Sequence, residues 1–150
     1  MGVAGLKAFL RRHRRIGLDT NVFIYQLQAH PRYVPLTDPI FSWMERDDSS
    51  AVTSTITMTE LLAQPYREGD RELADLFQGL LSTYPHLIWI PPSLDIAILA
   101  AQLRATCRLK TPDALQAATA VYGQATGVIT NDSVFERVAG IETLVLDRLL

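Results

Sequence analysis

Ile16-Gly17-Leu18-Asp19-Thr20-Asn21-Val22 is the stretch that decides the fold class. Ile16, Gly17 and Leu18 make an apolar run too short for a helix and suited to a strand covered on both faces. The run stops at Asp19. Val22, Phe23, Tyr25 and Leu27 then continue as a helix that His30-Pro31 breaks. The same succession recurs downstream. Residues 51–54, 87–90, 128–130 and 144–146 read as short strands. Helices are expected over 39–48, from Thr57 as a cap with Leu61 and Leu62 inward, and over 70–83. The last carries Leu73, Leu76, Phe77, Leu80 and Leu81 on one face to be buried. Another helix runs from a Ser93 cap to about Arg108. Thr111-Pro112-Asp113 opens the next with a Thr cap, a first-turn proline and an acid at the positive end of the helix dipole. Its Ala114, Ala117, Ala118 and Ala120 let it lie close on a sheet, and Gly123 and Gly127 close it. One more helix separates the last two strands. Such alternation predicts an α/β fold, a parallel sheet of about five strands with helices on both faces.

Four acids fall where a strand ends or a helix begins: Asp19, Glu60, Asp113 and Asp132. In a parallel sheet those places share one edge, and ligands bind outside it. Each acid has a simpler use. Asp19, Asp113 and Asp132 suit helix starts or turns, and Glu60, three residues after Thr57, has capping-box spacing. Those uses still set all four on the same edge. Two unit charges about 5 Å apart repel by roughly 3 kcal/mol at an effective dielectric near 20. A hard cation relieves that repulsion. With no His or Cys pattern beside the acids, Mg²⁺ or Mn²⁺ is expected rather than Zn²⁺. Phosphodiester hydrolysis follows as the natural chemistry.

At 150 residues the chain suits one domain, 1–150, able to bury roughly two-thirds of its unfolded surface. Hydrophobic residues make up 48% and charged residues 20%, which excludes a disordered chain. No apolar run is long enough for a bilayer, and the N-terminus lacks a secretory pattern, so a cytoplasmic, membrane-free protein is expected. Single Cys107 suits that reducing compartment and a packing role. His13, His30 and His86 are assigned to surface or loop, and Trp43, Phe77 and Trp89 to the core. Net charge is −2, but Lys7, Arg11, Arg12, Arg14 and Arg15 all precede residue 16, leaving −7 on the remainder. Residues 1–14 form a basic extension. Arg11, Arg12, Arg14 and Arg15 are candidate contacts for the phosphates of a polyanion, and a solvated helix or loose lead-in is the alternative.

Leu18-Asp19-Thr20-Asn21-Val22, Thr59-Glu60-Leu61, the run Pro112 to Ala118 and the run Thr130 to Phe135 resemble, in order and spacing, the motifs of PIN-domain nucleases. The short form is similar to VapC-type toxins of toxin–antitoxin pairs, over about residues 15–146. The resemblance implies a PIN-like three-layer α/β/α fold and an endoribonuclease dependent on Mg²⁺ or Mn²⁺, with one or two ions. It implies Asp19 and Asp113 as central metal ligands, with Glu60 and Asp132 completing the catalytic set directly or through water. Thr20, Asn21 and Thr130 match polar positions that orient a carboxylate or a metal water. RNA as substrate, a small antitoxin and a homodimer are the implied partners. The family also holds RNA-processing nucleases that are not toxins. Two other classes compete. A haloacid-dehalogenase-type phosphatase needs a second acid where Asn21 stands. A non-catalytic module would use the acids for a structural metal or a protein partner.

Overall fold

Five strands run parallel: β1 (Arg15–Leu18), β2 (Ser50–Ser54), β3 (Leu87–Ile90), β4 (Gly127–Thr130) and β5 (Glu142–Val145). The computed structural model describes residues 2–150. The strand order is β3-β2-β1-β4-β5. The chain therefore winds outward from β1 on one side, then returns to start again on the other. The reversal lies between β1 and β4, the place where open α/β sheets bind ligands.

Among the described residues there are seven α-helices: α1 (Gly2–Arg12) precedes β1, and α2 (Thr20–Leu27), α3 (Val34–Met44), α4 (Ile56–Arg67), α5 (Arg71–Ser82), α6 (Leu94–Cys107) and α7 (Thr111–Tyr122) connect β1 to β4 in pairs. Two cores flank the sheet, as the alternation predicts. Ile16, Leu18 and Ile129 point into one, with Phe9, Phe23, Ile40 and Met44. Val128 points into the other, with Ile96, Ala114, Ala117, Ala118 and Phe135. Gly17 faces α7, and a methyl there would lie 2.6 Å from Ala120 Cβ. The alanines of α7 are thus met by a glycine in β1, and the helix presses onto the middle of the sheet.

Several expectations need correction. The basic lead-in is a packed helix: Leu6, Phe9 and Leu10 of α1 are buried in the first core. Their 3- and 4-residue spacing is an amphipathic signal that the charges around them obscure. Helix α3 begins at Val34, so Pro39 sits inside it and Pro35 is its first-turn proline. Helix α5 buries Ala74 and Leu81 but leaves Leu76 62% and Leu80 48% exposed. It lies in an outer position against α4, which covers only part of its apolar stripe. Strand β5 starts at Glu142, and Leu146 enters a 3-10 turn, Leu146–Leu149. Residues 133–137 between β4 and β5 are likewise 3-10. Gly127 opens β4 rather than closing α7. Among the described residues, no helix is long and apolar enough to cross a membrane.

Candidate functional site

Asp19 stands one residue beyond β1, and its N–H donates to Ile129 O of β4 at 3.1 Å. The carboxylate therefore sits over the reversal point of the sheet. It does cap α2: Oδ1 accepts from Thr20 N–H at 2.8 Å. The second oxygen, Oδ2, accepts from the Thr130 hydroxyl at 2.8 Å and from Asn21 Nδ2 at 3.4 Å. Capping thus uses one oxygen, and both partners of the other come from residues already suspected on sequence. Asp19 is only 8% exposed. Burial is the main reason its pKa is pushed up to about 6, with hydrogen bonds from Thr130 and Thr20 opposing and the charges of Asp113 and Glu60 adding to the rise.

Asp19, Glu60, Asp113 and Asp132 line one cleft of about 370 Å³, together with Thr20, Asn21 and Gln116. Asp113 lies in the first turn of α7, whose N-cap residue is Lys110 rather than Thr111. Its pKa is also raised, chiefly by burial, then by Asp132 and Glu60, while Lys110 opposes. Asp132 caps the 3-10 turn through Val134 N–H, and its own N–H donates to the Thr130 hydroxyl. Thr130 thereby joins Asp132 to Asp19.

Glu60 is not in a capping box. Thr55 occupies the N-cap position of α4, and Thr57 is a buried residue within its first turn. Glu60 instead accepts from the Thr20 hydroxyl at 2.6 Å. Thr57 belongs to a buried network that sequence reasoning missed. Thr53 Oγ1 donates to Leu18 O and lies 2.7 Å from Thr57 Oγ1. Gln116 Nε2 donates to Thr57 and Thr20, and Gln116 Oε1 accepts from Ser54 N–H. The available signal was a glutamine on the alanine-rich face of α7, where an apolar residue would pack as well.

Among the described residues, no three Asp, Glu, His or Cys side chains stand at the spacing of a closed metal-ligand set. The carboxylates border an open cleft instead. Their donors are oxygens without His or Cys, a set that suits a hard divalent cation such as Mg²⁺ or Mn²⁺. Asn21 supplies a second sign. Its Oδ1 is buried and has no hydrogen-bond partner. A buried acceptor left alone costs about 1–3 kcal/mol, so a water or hydrated ion in the cleft is the fitting occupant.

Arg11, Arg12, Arg14 and Arg15 are not brought to the cleft. They lie at or before the start of β1, and Asp19 lies past its end. Arg12 binds Glu142 through two nitrogens, and Arg15 donates to Ser50 Oγ and Gly123 O. His13, assigned to surface or loop, lies in the loop between α1 and β1, with a nearly buried side chain held between Thr126 and Glu142.

The PIN domain family model matches residues 16–141, most of the chain and a stretch within which the four acids fall. The chain belongs to the PIN domain family. Helix α1 precedes the matched stretch of this PIN domain. The fold is similar to that of DNA-bound VapBC from Salmonella typhimurium, at a TM-score of 0.69 and 22% identity over 88% of this chain and 98% of that one. It is similar too to VapBC2 from Rickettsia felis bound to a DNA fragment from their promoter (TM-score 0.66, 19% identity, 87% and 98% covered). VapBC-1 from nontypeable Haemophilus influenzae shares it at 0.64 and 19%, over 89% and 98%. A comparison with curated proteins gives no match.

Proposed function

We propose that this PIN domain is a divalent-cation-dependent endoribonuclease, and that it acts as the toxin of a type II toxin–antitoxin pair. The single observation that carries the nuclease reading is the gathering of four carboxylates around one cleft at the sheet's reversal point. The toxin reading is supported by the likeness to chains from VapBC complexes.

Asp19 and Asp113, with Glu60 and Asp132 directly or through water, would hold one or two ions of Mg²⁺ or Mn²⁺. A bound ion supplies an acidified water and positive charge against the phosphate oxygens. The protein's own groups do the positioning. Thr130 and the Thr20 N–H fix the Asp19 carboxylate, and the Thr20 hydroxyl fixes Glu60. Asn21 Nδ2 donates to the same Asp19 oxygen that Thr130 holds. Hydrolysis then adds water across one P–O bond, with the leaving ribose oxygen taking up a proton.

A small antitoxin is the proposed partner. An apolar hollow lined by Ile24, Leu27, Leu61, Leu73 and Phe77 adjoins the acids at Glu60. A helix seated there would bring a basic side chain to the carboxylates. We further propose a cytoplasmic homodimer. The decisive experiment is cleavage of mixed cellular RNA with Mg²⁺, Mn²⁺ or EDTA, beside a folded Asp19→Asn protein. Metal-dependent cutting that the substitution removes is expected. Failure to cut, by protein shown to be free of inhibitor, would point to a binding module instead.

A further inference from the structure

Helices α1 and α3 enclose a groove on the side where the strands begin, away from the acidic cleft. It is about 470 Å³, within the roughly 300–1,000 Å³ of ligand sites. Leu10, Pro39 and Trp43 form an apolar floor, and Lys7, Arg11 and Arg46 line the walls. A second hollow shares Leu10, Arg11, Trp43 and Arg46 and extends the groove to Arg14. Four cations therefore border one continuous depression in a protein that is acidic overall. One acid, Asp48, reaches it, 3.9 Å from Arg46. Among the described residues, Lys7, Arg11 and Arg14 form no ion pair, whereas Arg12 is committed to Glu142.

We infer that this groove is a second RNA-binding site, which holds the phosphate backbone of the substrate at a distance from the cutting centre. The inference rests on the nuclease reading for its choice of RNA. Lys7 and Arg11 are one turn apart on α1, roughly 6 Å along the axis, so they meet successive phosphates of one strand. Leu10 and Trp43 are buried beneath the cations, so the groove offers charge to the phosphates rather than an aromatic face to the bases. Two of the four candidate arginines, Arg11 and Arg14, keep the role the sequence suggests. Arg12 and Arg15 lose it to Glu142, Ser50 and Gly123, while Lys7 and Arg46 gain it.

The test is binding of a labelled single-stranded RNA in EDTA, on an Asp19→Asn background so that nothing is cut. Lys7, Arg11 and Arg14 are changed together to Gln. A charge-matched control changes Arg67, Arg71 and Arg104, exposed cations of α4, α5 and α6 that line neither the groove nor the acidic cleft. The groove variant should weaken binding at least about tenfold and flatten the plot of log Kd against log salt by about 2, three phosphates at roughly 0.7 each. The control should keep the wild-type slope. Arg11→Lys with Arg14→Lys should keep it too, because a point charge suffices for phosphate. Equal loss in both triple variants, no loss in either, or displacement of RNA by poly-glutamate as readily as by RNA would overturn the proposal. The same three changes are also made with Asp19 intact and assayed with Mg²⁺; cutting that persists there, with unchanged RNA affinity in the binding assay, would remove the groove and leave the nuclease. Lost affinity in a protein that never cuts would do the reverse.

Discussion

Gln116 shows how one residue can fix a site it was not suspected of serving. Its amide joins β2, α4 and α2 through Ser54, Thr57 and Thr20. Proton counting sets the direction of the network. Thr53 spends its proton on Leu18 O, so Thr57 must donate to Thr53. Thr20 spends its own on Glu60. Both Thr57 and Thr20 then need a donor, and Gln116 Nε2 has two hydrogens to give. Gln116 is 5% exposed, so water cannot replace it. Gln116→Leu is expected to destabilise the protein by about 2–3 kcal/mol, because it strands the Ser54 N–H and removes two hydrogen bonds. Urea unfolding checks this, and a loss under about 0.5 kcal/mol would show the network to be dispensable.

The contact between α7 and β1 carries the next expectation. Ala120 Cβ stands where a Gly17 methyl would be, 2.6 Å away, and neither backbone is free to yield. Gly17→Ala should cost about 1–3 kcal/mol by overpacking. Adding Ala120→Gly should restore part of that loss despite the helix penalty of a mid-helix glycine, roughly 1 kcal/mol. A double variant less stable than both singles would mean that the two sites do not press on each other. Helix α1 gives a parallel case. Phe9 is fully buried, and Phe9→Ala should lower stability by about 3–5 kcal/mol. A change under about 1 kcal/mol in thermal or urea melts would return the segment to a loose lead-in.

These same elements show what the sequence could and could not tell. Strands β1 to β4 and helix α7 were legible because short apolar runs ending at Asp19 or Thr130, and a proline-acid helix start, have few other interpretations. The four acids were legible because sheet topology sends strand ends to one edge. Helix α1 was not, since five cations drew attention from Leu6, Phe9 and Leu10. Thr57 and Gln116 were hidden for another reason. Their hydrogen bonds join elements far apart in sequence, so no local pattern marks them. The exposed face of α5 could not be foreseen either, because amphipathic spacing says which face is apolar but not whether a neighbour covers it.

For the whole molecule, the net charge of −2 conceals a separation: cations gather where the strands begin and carboxylates where they end. Folding must hold Asp19 in a place where its charged form is disfavoured. Its pKa is about 6 in the folded state against 3.8 for an exposed aspartate. The folded protein therefore binds more protons than the unfolded chain between those values. The slope of unfolding free energy with pH is then negative, and stability falls as pH rises through that window. The full effect is about 3 kcal/mol, and roughly half of it lies above pH 5. Asp113, also raised, acts in the same direction. In EDTA, warming from pH 5 to pH 8 buffers should cost the wild type about 3–6 °C of Tm relative to Asp19→Asn, at roughly 2–4 °C per kcal/mol for this length. At pH 8, Mg²⁺ or Mn²⁺ should then raise the wild-type Tm in proportion to RT ln(1 + [ion]/Kd), since the ion binds only the folded cleft. Asp19→Asn should gain little. Parallel pH profiles for the two proteins would show that Asp19 carries no such strain. Equal stabilisation of both by the ions would place the cation away from this carboxylate, and the four acids would need another explanation.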